Sequence, residues 1–199
     1  GRQFWQYRRE LPDDLTYGRS APVNRGFGML GDQLFMVTLD AHLLSFDRTT
    51  GDILWDVELA DYRIGYAATV APLIVDGKVI VGISGGEYPT KGFIDAYDPA
   101  TGERDWRFYT IPSPDEPGGD TWPFTGVRER GGGGTWMTGS YDPELNLIYW
   151  GTGNPNPDYY GDDRLGDNLY TASIVALEAD TGTLRWHYQF TPHDMNDWD

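Results

Sequence analysis

Apolar residues in this chain fall in short runs, and the runs come in pairs. Leu34-Phe35-Met36-Val37-Thr38-Leu39 is followed after three residues by Leu43-Leu44-Ser45-Phe46. Lys78-Val79-Ile80-Val81-Gly82-Ile83 precedes Phe93-Ile94-Asp95-Ala96-Tyr97, and Leu147-Ile148-Tyr149-Trp150 precedes Ser173-Ile174-Val175-Ala176-Leu177. Runs this short, rich in β-branched and aromatic residues, predict strands. A polar turn and a tryptophan follow each pair: Asp47 to Gly51 and Trp55, Asp98 to Gly102 and Trp106, Glu178 to Gly182 and Trp186. A partial copy, Gly1-Arg2-Gln3-Phe4-Trp5, opens the chain.

The physical reading of each copy is a strand ending at an acid, a tight turn that needs Gly, and a returning strand whose Trp packs between neighbouring sheets. Successive Trp residues lie 50, 51 and 80 positions apart. The pattern predicts about four units, each an antiparallel sheet of about four strands, with Trp5, Trp55, Trp106 and Trp186 between sheets. Repeats of about 40–50 residues made of strands point to an all-β fold of the β-propeller class. A stack of other β repeats is the structural rival. The chain starts inside one repeat and stops inside a loop, so residues 1–199 are expected to be part of a single propeller domain, truncated at both ends. Such a piece is an incomplete ring whose edge strands need partners.

The links within the pairs differ in length. The first is only Asp40-Ala41-His42, whereas the second spans residues 84–92 and the third residues 151–171. In a propeller, loops at equivalent places gather at one end of the central channel, where function concentrates. Glu87 lies in the second link and Asn154 in the third.

Composition narrows the chemistry. Aromatic residues make up 15% of the chain, and 26 Gly and 13 Pro suit many short strands and tight turns. There is no Cys, which excludes disulfides, thiolate metal sites and a cysteine nucleophile. A net charge of −16 argues against nucleic acid as a partner, because its phosphates would be repelled. No stretch approaches the ~20 apolar residues of a membrane-spanning helix.

Three residues offer hard oxygen donors: the carboxylates of Glu87 and Asp197 and the amide oxygen of Asn154. Ca²⁺ and trivalent lanthanides prefer such ligands, while 3 His and no Cys argue against zinc. Taken singly, Glu or Asn in a Gly-rich loop is more often a turn residue; their matched loops favour a shared role. Asp197, held near a cation, is a candidate general base. Asp199 lies two residues further on, and in extended backbone i and i+2 side chains share a face. Trp136 follows Gly131-Gly132-Gly133-Gly134, a run that lets backbone pass close to another surface, although most Trp residues of such a fold are core. Arg25 is a permanent cation suited to a carboxylate, or else an ordinary surface ion pair. Asp194 reads as a turn residue and His193 as one that orients its loop.

The order of these segments resembles the pyrroloquinoline quinone (PQQ)-dependent alcohol dehydrogenases, an eight-bladed propeller family. Pro22-Val23-Asn24-Arg25-Gly26, Thr69-Val70-Ala71-Pro72, Ser84-Gly85-Gly86-Glu87, Gly134-Thr135-Trp136, Gly151-Thr152-Gly153-Asn154-Pro155, Gly166-Asp167-Asn168 and Thr191-Pro192-His193-Asp194 with Asp197-Trp198-Asp199 carry the resemblance. It implies PQQ bound through Arg25, Thr69, Ser84, Gly85 and Gly86, with Trp136 as the floor under the ring. It implies a metal ion on Glu87, Asn154 and Asp197, with Asp197 as base. In the family an extra Asp at the place of Asp199 accompanies a lanthanide ion, and a small uncharged residue accompanies Ca²⁺, so a lanthanide is expected here and Ca²⁺ is the alternative. The activity implied is oxidation of a small primary alcohol to the aldehyde, with cytochrome c as electron acceptor, in the periplasm; a homodimer is the assembly to test. Many members carry adjacent cysteines where this chain reads Arg19-Ser20, and the residues they bring from either side of this segment are absent. Two other readings stand beside this one: a non-catalytic propeller that serves envelope assembly, and a quinoprotein acting on sugars or polymeric alcohols.

Overall fold

The computed structural model describes residues 1–15, 22–124 and 126–198. Among them, twelve strands form three antiparallel sheets of four, each a simple meander. Sheet one holds β1 (Gly28–Leu30), β2 (Gln33–Val37), β3 (His42–Asp47) and β4 (Ile53–Glu58). Sheet two holds β5 (Leu73–Val75), β6 (Lys78–Gly82), β7 (Phe93–Tyr97) and β8 (Arg104–Tyr109). Sheet three holds β9 (Ser140–Asp142), β10 (Leu147–Thr152), β11 (Ser173–Glu178) and β12 (Leu184–Gln189). The expected all-β propeller architecture is thus present. All five positions of β7 are buried, as a strand covered on both faces requires, whereas β4 and β12 are largely exposed. One apolar cluster runs through all three sheets, from Leu43 through Val81 and Ile94 to Ile148 and Val175. No helix among the described residues is long and apolar enough to cross a membrane.

The repeated turn explains how one sheet locks to the next. Asp47 Oδ1 accepts the backbone N–H groups of Thr49 and Thr50, and Asp98 Oδ1 does the same for Ala100 and Thr101. These backbone donors hold both carboxyls below their ordinary range. Each turn closes on a left-handed glycine: Gly51 at φ 79°, Gly102 at 73° and Gly182 at 69°. The indole of the preceding repeat lies flat on that glycine. A Cβ on Gly51, Gly102 or Gly182 would stand 2.5, 2.9 or 2.5 Å from Trp5, Trp55 or Trp106 respectively. Each indole N–H then donates to a carbonyl of the same turn region: Trp5 to Arg48 at 2.8 Å, Trp55 to Pro99 at 2.9 Å, Trp106 to Ala179 at 3.1 Å. Glycine is therefore needed twice, for its backbone angle and for its missing side chain.

Two expectations change. The first repeat supplies no sheet: residues 1–10 carry no assigned strand, and their contribution is Trp5 stacked 6.2 Å from Phe46 and an arginine clamp. Trp186 is 45% exposed rather than packed between sheets, touching Tyr149 at 5.7 Å, because no sheet follows β12 among the described residues. In the clamp, Arg9 Nε donates to both Asp40 oxygens at 2.9 Å, and its Nη1 donates to Asp56 at 2.8 Å. Burial would raise the Asp40 carboxyl, but the hydrogen bonds and charge of Arg9 outweigh it, and the group titrates below its ordinary value. Between sheets one and two, Arg107 binds the fully buried Asp95 at 2.7 and 2.6 Å, donates to the Leu59 carbonyl at 3.1 Å, and covers the Phe93 ring at 3.6 Å.

Candidate active site

The second and third strands of each sheet are joined at equivalent places, by residues 38–41, 83–92 and 153–172. The last two links carry the candidate cation ligands, and a run of four buried glycines lies between them. Gly132 pairs with Lys91 on one side and with Pro155 on the other. Gly92 N–H donates to Gly132 O at 2.8 Å, Gly133 N–H to Asn154 O at 2.8 Å, and Gly153 N–H to Gly134 O at 2.7 Å. The glycine run is thus a backbone splint between the Glu87 link and the Asn154 link. Side chains cannot enter it: a Cβ on Gly92 would stand 1.8 Å from Gly133 O, and one on Gly132 would stand 2.8 Å from Asn156 N. Thr135 continues the splint, its hydroxyl accepting from Ile83 N–H at 2.7 Å and donating to Phe93 O at 2.6 Å.

At one end of the splint Arg25, Thr69, Ser84 and Trp136 come together. Arg25 N–H donates to Thr69 O at 3.0 Å, which places the Arg25 side chain over the strand-like segment leading to β5. Arg25 Nη1 donates to Thr69 Oγ1 at 2.6 Å, and that hydroxyl shares a hydrogen bond with Ser84 Oγ at 2.9 Å. The guanidinium carbon lies 4.7 Å from the Trp136 ring centroid. Residue 84 is fixed by pairing with Ala67. Gly85, at φ 116°, has no room for a side chain, since a Cβ would stand 2.4 Å from Gly65 O. Gly86 faces the neighbouring link: a Cβ there would stand 3.6 Å from Gly134 N and 4.0 Å from Asn154 Oδ1. Glu87 follows, with its side chain exposed.

Asn154 is 4% exposed. Its Nδ2 donates to Asp158 Oδ1 at 2.6 Å and to Pro155 O at 3.3 Å. Asp197 sits in a separate turn at φ 57°, where Tyr159 O–H reaches its Oδ2 at 3.5 Å. The Asp197 charge raises the Tyr159 pKa above its ordinary value. That turn is built by Asp194, 1% exposed, which accepts Asn196 N–H at 2.9 Å and Trp198 N–H at 3.1 Å. His193 Nδ1 lies 2.9 Å from Gly166 O, tying the turn to the third link. Arg164, fully buried, donates to Pro157 O, Asn168 Oδ1 and Asp194 O at 2.9, 2.9 and 2.5 Å. Burial lowers its pKa, against the countering charge of Asp194. The Gly166-Asp167-Asn168 motif is therefore part of a clamp that joins the third link to the Asp197 turn.

Of the sequence-predicted residues, Arg25 meets both Thr69 and the Trp136 ring, Thr69 meets Ser84, and Gly86 and Asn154 are neighbours across the splint. Glu87 is linked to the group by the chain, as the residue after Gly86, and Asp197 meets Tyr159, the residue after Asp158. Asp199, Arg19 and Ser20 lie outside the described residues. No cluster of three or more His, Cys, Asp or Glu side chains able to hold a metal ion occurs among the described residues; the candidate donors include an amide. Beside the group lies an apolar cavity of about 280 Å³, lined by Trp136, Met137, Ile174, Phe190 and Trp198 among others. Asp158, Tyr159 and Arg164 were not legible as site residues: their partners lie in irregular loops, where no periodicity pairs one position with another.

The family described as PQQ, glucose/ethanol/alcohol dehydrogenase, beta-propeller domain, matches residues 1–199. A quinoprotein alcohol dehydrogenase, PedH, from Pseudomonas putida is 40% identical over the whole of this chain and 36% of its own length. A lanthanide-dependent methanol dehydrogenase from Methylacidiphilum fumariolicum is 40% identical over 89% of this chain and 32% of its own length. Among solved structures, a europium-containing methanol dehydrogenase superposes with a TM-score of 0.91 at 38% identity, covering 98% of this chain and 37% of that one. The chain spans about a third of the length of these relatives. This chain belongs to the PQQ-dependent glucose/ethanol/alcohol dehydrogenase family, within its β-propeller domain.

Proposed function

We propose that this chain is part of a single propeller domain of a PQQ-dependent dehydrogenase that oxidises a small primary alcohol to the aldehyde. The observation that carries the reading is the contact group Arg25–Thr69–Ser84–Trp136, splinted by Gly132 and Gly133 to Asn154. These residues fit the implied groups. Arg25 offers a permanent cation to a cofactor carboxylate, and Thr69 and Ser84 offer hydroxyls beside it. Trp136 offers a flat face, and Gly86 leaves room for close approach, while Gly85 lets the chain pass against the Gly65 carbonyl. With its nitrogen held by Asp158, Asn154 offers an oxygen. Glu87, Asp197 and Asp199 add carboxylates, a set suited to a hard cation.

Held by Arg25, Thr69 and Ser84 beside a cation, PQQ would supply a two-electron hydride acceptor for the alcohol carbon. In this reading Asp197 takes the hydroxyl proton, which completes the loss of two electrons and two hydrogens from the alcohol. The Asp194 carboxylate fixes the backbone on either side of Asp197, and the Tyr159 hydroxyl stands 3.5 Å from its carboxylate. The electrons pass onward to a cytochrome c in the periplasm. In this reading Asp199, two residues beyond Asp197 in the sequence, would add a third carboxylate to those of Glu87 and Asp197, which favours a trivalent lanthanide over Ca²⁺, because attraction scales with charge. The test is to reconstitute the full-length apoprotein with PQQ and La³⁺ or Ca²⁺, beside an Asp199→Ala variant. La³⁺ should support alcohol-dependent dye reduction, and Asp199→Ala should lose that preference. Full activity with Ca²⁺ and none with La³⁺ overturns the lanthanide assignment, and no activity with either overturns the dehydrogenase.

A further inference from the structure

A side-chain amide has two ends of similar shape, and a cation accepts only one of them. Which end Asn154 presents is decided by its surroundings. Its Nδ2 lies 2.6 Å from Asp158 Oδ1. Turning the amide over would set Oδ1 against that carboxylate oxygen, two acceptors with no proton between them. The nitrogen is therefore drawn to Asp158, and the oxygen faces the Glu87 link, 4.0 Å from where a Cβ on Gly86 would stand. The segment Asn154-Pro155-Asn156-Pro157-Asp158 contains two prolines with fixed φ, which limits the ways the carboxylate can return to the amide. Arg164 adds a second restraint, donating to Pro157 O at 2.9 Å immediately before Asp158. The next residue, Tyr159, reaches Asp197 at 3.5 Å, so the same stretch of loop borders two of the candidate cation ligands.

We propose that Asp158 is a positioning residue for the cation site: by accepting from Nδ2 it holds the Asn154 amide with Oδ1 toward the ion. The proposal rests on the reading of Glu87, Asn154 and Asp197 as that site. Partners of this kind, which orient a ligand without touching the ion, typically change metal affinity about 10- to 100-fold when removed. The experiment is calorimetric titration of La³⁺ into the full-length protein, for wild type, Asn154→Ala, Asp158→Ala, Asp158→Asn and the double variant Asn154→Ala/Asp158→Ala, with the melting temperature of each measured without the ion.

Asp158→Ala should weaken La³⁺ binding by about 10- to 100-fold with the ion-free melting temperature unchanged. Asp158→Asn, which keeps an acceptor oxygen, should bind close to wild type. In the Asn154→Ala background, removing Asp158 should cost far less than in wild type, because the amide it orients is gone. Additive losses in the double variant, wild-type affinity in Asp158→Ala, or a loss in Asp158→Asn equal to that in Asp158→Ala would each overturn the positioning role. Wild-type affinity in Asn154→Ala would instead remove the cation site on which the proposal stands.

Discussion

Thr69 joins two candidate site residues through one small side chain. Its hydroxyl accepts from the Arg25 guanidinium at 2.6 Å and meets Ser84 at 2.9 Å, at the start of the link that carries Glu87. Thr69→Val keeps the shape and removes the hydroxyl. A hydrogen bond to a charged group contributes about 1.5–3 kcal/mol, so PQQ binding by the full-length protein should weaken by about that amount in titration calorimetry. Unchanged affinity would separate Arg25 from the cofactor. Asp197→Asn should lower kcat by about 100- to 10,000-fold while cation binding persists, measured by steady-state dye reduction. The Arg9 clamp gives a pH dependence. Asp40 titrates below its ordinary value in the folded chain, so its contribution is present above the unfolded pKa of about 3.9 and is lost as pH falls through the lower folded value. Asp56 shares Arg9, and His42 Nε2 stands 4.0 Å from Asp40. The gap in melting temperature between wild type and Arg9→Ala should therefore shrink as pH drops below about 4; a constant gap would show that the clamp does not act through the Asp40 charge. Residue types such as Glu87 and Asn154 were readable from their place in enlarged links. Asp158 was not, because a contact between i and i+4 in a proline-rich loop leaves no pattern in sequence.

At the scale of elements, the paired apolar runs located the second and third strands of every sheet to within about two residues. The first strands, β1, β5 and β9, are three residues long with at most one buried position each, too short for any alternation to register. The glycine run was read as a close approach but not as a splint, since backbone hydrogen bonds between loops are not written in side-chain type. Its role makes a sharp prediction. Gly92→Ala places a methyl 1.8 Å from the Gly133 carbonyl oxygen and 2.5 Å from Thr110 Oγ1, and the closer of the two contacts is backbone that cannot rotate away. It should destabilise the protein by about 3 kcal/mol or more and separate the Glu87 link from the Asn154 link. Denaturant unfolding measures the first effect; a small loss, below about 1 kcal/mol, would mean the splint is slack.

The whole molecule is organised by repetition: each indole lies on the glycine of the next turn and donates to its carbonyl. Trp5, Trp55 and Trp106 obey this rule, and Trp186 has the same position on β12 with no partner turn among the described residues. Since relatives are about three times as long, Trp186 is expected to dock on a further repeat. In the full-length protein Trp186→Ala should then cost about 3–5 kcal/mol, the same range expected for Trp106→Ala; a cost near zero would leave Trp186 a surface residue. Repetition is also why the fold was legible: a period of about 50 residues states the architecture even where single strands are faint. What repetition does not specify is the exception, the enlarged links that carry Glu87 and Asn154. The most direct measurement is therefore the position of a bound lanthanide in crystals of the full-length protein with PQQ, located by its anomalous scattering. The account predicts one strong peak coordinated by Glu87, the Asn154 amide oxygen and Asp197, with the quinone ring over Trp136. A peak away from Asn154, or PQQ bound with no ion at these residues, would contradict it.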